Sequence, residues 1–150
     1  MKPRLNHAEA DPGSLNAMLA LEKYLAGCGI DPKLHHLVIT RASQINGCAY
    51  CLDMHTRDAR ALGESEQRLH LLAAWRESPL FTDRERAALA WTEAVTLVSE
   101  TGVPDEVYEV ARAQFNEREL VQLTLVIGAI NTWNRLNVAF RTVHPVRAAQ

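Results

Sequence analysis

Helix start and stop signals recur along the whole chain and leave no second segment with which a strand could pair, and this restricts the fold class first. Pro12-Gly13-Ser14 opens a helix with Ser14 as N-cap; Leu15, Met18, Leu19, Glu22 and Leu25 form its stripe and Gly29 closes it. Asp31-Pro32 starts a second, ending at Asn46-Gly47. A third runs from about Cys48 to Leu62, before Gly63, and a fourth from Ser65 past Trp75 to a stop before Pro79. Thr82-Asp83-Arg84-Glu85 is a capping box for an Ala-rich helix reaching about Glu100. Pro104 begins a sixth, to about Phe115, and the capping box Asn116-Glu117-Arg118-Glu119 begins a last one, to about Phe140 or Arg141. Leu120 to Ile130 is rich enough in Val, Ile, Leu and Thr to pass for a buried strand. The capping box before it and the uninterrupted length after it favour a helix. The expectation is an all-α bundle of about seven helices, one domain over residues 1–150 with its core at about 14–141.

The chain has 150 residues, 47% of them hydrophobic, enough for one real core. The formal net charge is −2 and no basic run interleaves with aromatics, so nucleic acid is not expected as a partner. No apolar stretch approaches the roughly 18 residues of a membrane span. Residues Met1 to Gly13 lack the apolar core of a secretory signal, so no membrane association and a cytoplasmic location are expected. Three cysteines do not suggest a disulfide scaffold, and Cys28 reads as a small apolar side chain. The last helix is apolar on most of its circumference from Val121 to Ile130, more than a chain of this size covers easily, which points to a homo-oligomer.

The chemistry is concentrated in Gly47-Cys48-Ala49-Tyr50-Cys51-Leu52-Asp53-Met54-His55. Two thiols in C-x-x-C spacing can close into a disulfide and reopen, and His55, one turn beyond Cys51, shares its helix face and can take its proton. The reactive form is the thiolate, so a site must lower a thiol pKa from about 8.5 toward working pH. The histidine register favours Cys51 as the attacking thiol with Cys48 resolving. The free N–H groups and dipole at a helix start favour charge on Cys48. Structural zinc is an alternative: His55 could add a third ligand to the cysteines, but a fourth would have to be recruited from Cys28, His36 or His70. Inert core cysteines would leave the His55 register unexplained.

The string Ser43-Gln44-Ile45-Asn46-Gly47-Cys48-Ala49-Tyr50-Cys51-x-x-x-His55 resembles the core of the alkylhydroperoxidase D-like proteins of the carboxymuconolactone decarboxylase superfamily. The resemblance continues through Thr56 to Arg60 and Gly63-Glu64, and returns in Thr82 to Glu93 and in Ile130-Asn131-Thr132-Trp133-Asn134-Arg135. It implies an all-helical bundle assembling into trimers or hexamers. It further implies thiol-dependent reduction of peroxides without haem, flavin or metal, so no cofactor is expected. The catalytic set would be Cys48, Cys51, the histidine matching His55, and an upstream acid in a proton relay. Electrons would return from another dithiol, on a lipoylated or thioredoxin-like protein. The position of the relay glutamate falls on His36, in Leu34-His35-His36-Leu37. An imidazole can also accept a proton, with an ordinary pKa near 6.5 against about 4.3 for glutamate. His35 is expected to face solvent. Glu93, deep in an apolar run, is an alternative acid, and Glu85 is the capping-box acid. Trp133, Asn134 and Arg135 would line the pocket or a subunit seam, or serve packing and capping; Arg57, Asp58 and Arg60 would form an exposed, ion-paired face.

The leading expectation is therefore a thiol peroxidase using a Cys48/Cys51 dithiol cycle with His55 as base. A lactone decarboxylase on the same scaffold and a non-catalytic redox-sensing module are the alternatives.

Overall fold

The computed structural model describes residues 1–147, which form nine α-helices and one 3-10 helix with no strand among them. A short α1 (His7–Ala10) precedes α2 (Pro12–Ala26), α3 (Pro32–Ile45) and α4 (Ala49–Ala61). Then come α5 (Glu66–Leu71), the 3-10 helix (Leu72–Glu77), α6 (Asp83–Thr96), α7 (Val98–Thr101), α8 (Asp105–Gln114) and the long α9 (Glu117–Phe140). The segment Leu120 to Ile130 is helical, as its capping box implied: Asn116 and Glu119 each bond the other's backbone N–H.

Several starts and stops differ from expectation: α1 was not foreseen among about seven helices, and α2 ends at Ala26 with Gly27, not Gly29, as its C-cap. Asp11, not Ser14, caps α2: its carboxylate accepts the Gly13 N–H at 3.0 Å with Pro12 at the first helical position, and the Ser14 hydroxyl turns back to the Asp11 carbonyl. The helix expected to reach Glu100 stops at Thr96: the chain turns at Leu97 before α7, and the Thr101 hydroxyl satisfies the Ala94 carbonyl that the end of the helix leaves free. The helix opened by Ser65 becomes 3-10 after Leu71 and kinks at Ala74, where φ is −115° and ψ is 28°.

At the centre α3 packs against α4, α6 and α9. Leu37, Val38 and Ala42 of α3, Ala87, Ala88 and Leu89 of α6, and Leu123, Val126 and Ile127 of α9 are all buried. The two alanines carry no bulk beyond Cβ, which lets α6 approach closely. A second cluster joins Leu72, Trp75 and Phe81 to Leu37 and Leu89. The α3–α9 contact positions the chemistry, because it sets the end of α3, where the dithiol begins, against the second half of α9.

Candidate active site

The turn after α3 delivers the dithiol. Gly47 takes φ +64°, a conformation L side chains resist, and the Cys48 N–H reaches back to the Ser43 carbonyl at 3.0 Å. Cys48 is thereby left extended (φ −85°, ψ 93°) as the N-cap of α4. Its Sγ accepts the Cys51 backbone N–H at 3.3 Å, so a sulfur fills the place usually taken by a serine or aspartate oxygen. Cys48 and Cys51 are joined as a disulfide with Cα atoms 5.3 Å apart. Cys28 is free and half-buried against the main core.

A polar clasp holds this turn. The Asn46 side-chain N–H groups donate to Asn131 at 2.7 Å and to Asn134 at 2.9 Å; Asn134 donates to Ser43 Oγ at 3.0 Å, and Ser43 donates to the Ile39 carbonyl at 2.8 Å. Asn131 also donates to the Ile127 carbonyl at 2.8 Å. Four residues from the two separated motif segments are thus spent on each other. Asn134 is buried, and each amide left alone there would cost far more than its bond gains. Arg135 stays outside, its guanidinium on the Asn131 carbonyl.

Cys48 and Cys51 are each only 1% exposed, yet each walls a cavity. Cys51 shares one of about 210 Å³ with Tyr50, Met54 and His55 of α4 and Trp133 and Asn137 of α9. Cys48 faces another, of about 270 Å³, with Gly47, Tyr50, Asn137 and Arg141 among its walls. Asn137 borders both, and its Nδ2 donates to Cys51 Sγ at 3.5 Å. His55 lies with Cys51 as the helical register required, and Trp133 lines the same cavity.

His36 brings its ring centroid to 6.2 Å from that of His55 and 5.9 Å from that of His35. Its Nδ1 is buried and has no hydrogen-bond partner among the described residues. His36 and His35 also border a third cavity, of about 290 Å³, together with Glu22, whose carboxylate accepts the Trp133 Nε1–H at 2.8 Å. Burial pushes the His55 imidazole down to about 4, reinforced by repulsion from a charged His36 and opposed by the Asp58 carboxylate. His36 is also lowered by burial, again against the pull of Asp58. His35 is not solvent-facing, as the sequence suggested; it is half-buried, and burial followed by repulsion from His36 pushes it down to about 4.

The two glutamates are engaged elsewhere. Glu93 accepts from Arg41 Nε at 2.8 Å, Trp75 Nε1 at 2.8 Å and Arg76, so it ties α3 and the 3-10 helix to α6 and is not available to replace the relay acid. These partners, against its burial, hold its carboxyl below the usual carboxylate range. Glu85 is the capping-box acid expected, and also pairs with Arg68. Asp58 pairs with Arg57 on the exposed face the sequence suggested, its side chain 42% exposed, and its charge also reaches both imidazoles. Its i+3 spacing from His55 was the available signal. Asn137 was missed too, although Ile130, Asn134 and Asn137 continue the inward register of α9. Among the described residues no group of three or more His, Cys, Asp or Glu side chains is arranged to hold a metal ion.

The sequence profile of the carboxymuconolactone decarboxylase family matches residues 12–94. The uncharacterized protein YdfG of Bacillus subtilis (strain 168) is 42% identical over 139 residues, spanning 93% of this chain and 95% of its own length. A crystal structure from Agrobacterium tumefaciens, of a protein of unknown function assigned provisionally as the antioxidant defence protein AhpD, is 50% identical. It superposes with a TM-score of 0.95 over 97% of this chain and 100% of that one. An uncharacterized peroxidase-related protein from Silicibacter sp. TM1040 is 26% identical, with a TM-score of 0.79 over 91% of this chain and 72% of its own.

Proposed function

Because this chain belongs to the carboxymuconolactone decarboxylase family, we propose that it is a thiol-dependent peroxidase of the alkyl hydroperoxide reductase type, working through the Cys48/Cys51 dithiol. The observation that carries the reading is the shared cavity: a disulfide sulfur of Cys51, the His55 imidazole and an apolar wall of Met54 and Trp133 around one hollow. In the reduced protein His55 takes the Cys51 proton. The thiolate attacks the terminal oxygen of a hydroperoxide, the O–O bond breaks, and the departing alkoxide takes a proton from the imidazolium and leaves as an alcohol. Cys51 is then a sulfenic acid. The Cys48 sulfur displaces its hydroxyl as water, and the disulfide forms. A donor dithiol, on a lipoylated or thioredoxin-like protein, restores both thiols by exchange and is itself oxidised.

His36 takes the place of the relay acid in this scheme. Two half-buried imidazoles of lowered basicity pass a proton onward only weakly, and the Asp58 charge favours its presence on either. The same reading takes residues 1–150 as one domain of a cytoplasmic homo-oligomer, trimer or hexamer. The exposed α9 stripe supports the assembly: Val121 is 62% and Leu125 40% exposed, with Gly128 and Thr132 on the same side. No helix among the described residues is long and apolar enough to cross a membrane.

The test is peroxide-dependent oxidation of reduced lipoamide or thioredoxin by wild type, Cys48→Ser, Cys51→Ser, His55→Ala and His36→Glu. Both cysteine variants should be inactive, and His36→Glu should equal or exceed wild type. Loss of activity in His36→Glu would remove His36 from the relay. Lactone decarboxylation that survives loss of both cysteines would replace the peroxidase reading altogether.

A further inference from the structure

We propose that Asn137 is a catalytic residue of the dithiol cycle, its side-chain amide stabilising negative charge on Cys51 Sγ each time that sulfur carries it. The inference rests on the reading of Cys51 as the attacking thiol and assigns the acidity of that thiol to a residue outside the C-x-x-C-x-x-x-H motif.

The two sulfurs receive different donors. Cys48 Sγ accepts the backbone N–H of Cys51 at 3.3 Å, while Cys51 Sγ accepts Asn137 Nδ2 at 3.5 Å from another helix. A disulfide or thiolate sulfur only accepts hydrogen bonds, so the amide nitrogen, not the oxygen, must face it. The backbone that carries the donor is anchored before any chemistry occurs. Asn137 is buried in the last turn of α9, and its carbonyl accepts the Thr142 N–H at 2.9 Å and the N–H of Arg141, which closes the helix at φ 55°. A rigid donor aimed at the atom where charge develops stabilises it without reorganisation. A charge-bearing hydrogen bond is about twice as strong as a neutral one, so the thiolate gains over the thiol.

The same bond serves both halves of the cycle. With peroxide it raises the thiolate fraction of Cys51. In the return step a donor thiolate attacks Cys48 Sγ, a new sulfur–sulfur bond forms, and the Cys48–Cys51 bond breaks with its electron pair passing to Cys51 Sγ. A more acidic thiol leaves faster, so the Asn137 amide also directs the donor dithiol to Cys48, whose cavity it borders. Of the other titratable or charged groups, Tyr50 and His55 of α4 line the Cys51 cavity, Arg141 after α9 borders the Cys48 cavity, and His36 of α3 and Asp58 of α4 act on His55. Asp53 is closed by a two-pronged pair with Arg147 at 2.6 and 3.0 Å, and Glu22 lies beyond Trp133.

The experiment follows the pH dependence of iodoacetamide alkylation in the full-length reduced chain carrying Cys28→Ser and Cys48→Ser, so that Cys51 is the only thiol. Adding Asn137→Leu, or the isosteric Asn137→Asp, should raise the apparent Cys51 pKa by about one unit, leaving about tenfold less thiolate at pH 7. In the Cys28→Ser, Cys51→Ser chain the neutral Asn137→Leu should leave Cys48 unmoved. An unchanged Cys51 pKa, or an equal shift at both cysteines, overturns the proposal. A measurement on the unsubstituted reduced protein does not depend on any variant folding: the Asn137 side-chain amide resonances should titrate with Cys51, and resonances that ignore that titration also overturn it. No peroxide is involved, so a responsive thiol without peroxide turnover sinks only the peroxidase reading, while turnover with an unresponsive thiol sinks only this one.

Discussion

At the scale of single residues, the three imidazoles make acid sensitivity a property of the folded state. His35 and His55 are pushed from the ordinary 6.5 down to about 4, and His36 is lowered as well. Each binds its proton more weakly folded than unfolded. Their neutral burial therefore contributes fully above about pH 6.5, and that contribution is lost as pH falls from there toward 4. The oxidised protein should show a lower Tm at pH 5 than at pH 7, and replacing His35 and His55 by Gln should flatten that dependence in calorimetry. Cys48 yields a second prediction. Its sulfur is both a redox partner and the helix cap. In the reduced state Cys48→Ser keeps a capping oxygen, whereas Cys48→Ala removes it and should unfold about 1 kcal/mol more easily in urea. His55 was legible from register alone. His35 was not, because a histidine at a helix start carries no sign of whether the next helix covers it.

Between elements, the link that positions the chemistry is the asparagine clasp from the α3–α4 turn to α9. Asn46→Ala removes the donor to two carbonyl oxygens, one of them on the buried Asn134. It should cost about 1–3 kcal/mol in urea unfolding, and should loosen the turn that presents Cys48. Asn116→Ala, which breaks only a surface capping box, should cost about 1 kcal/mol and leave the dithiol's reactivity unaltered. Helices bounded by such boxes were readable in the chain, because the cap and its glutamate are local. Boundaries set by distant or competing groups were not. Asp11 caps α2 in place of Ser14, and the Thr101 hydroxyl meets the freed Ala94 carbonyl of α6 from seven residues away. The clasp itself joins residues 85 and 88 positions apart, so the two motif segments could be recognised together without their reason being visible.

For the whole molecule, α9 has two sides with separate uses. One packs into the core and carries Asn131, Asn134 and Asn137 to the dithiol; the other leaves Val121 and Leu125 uncovered. The apolar circumference of this helix was plain in the sequence, whereas which of its residues would stay outside depended on where α3 and α6 pack. If a second copy covers the outer stripe, Leu125→Glu should shift the chain to a smaller species in sedimentation velocity while preserving its helical circular dichroism. A rod gripped there by a second copy, and touching sulfur on its other side, would carry any slackening of that grip to the reacting atom. Turnover per polypeptide should then fall on dilution below the assembly's dissociation constant, and the concentration at which it halves would measure how strongly partnership and reactivity are linked.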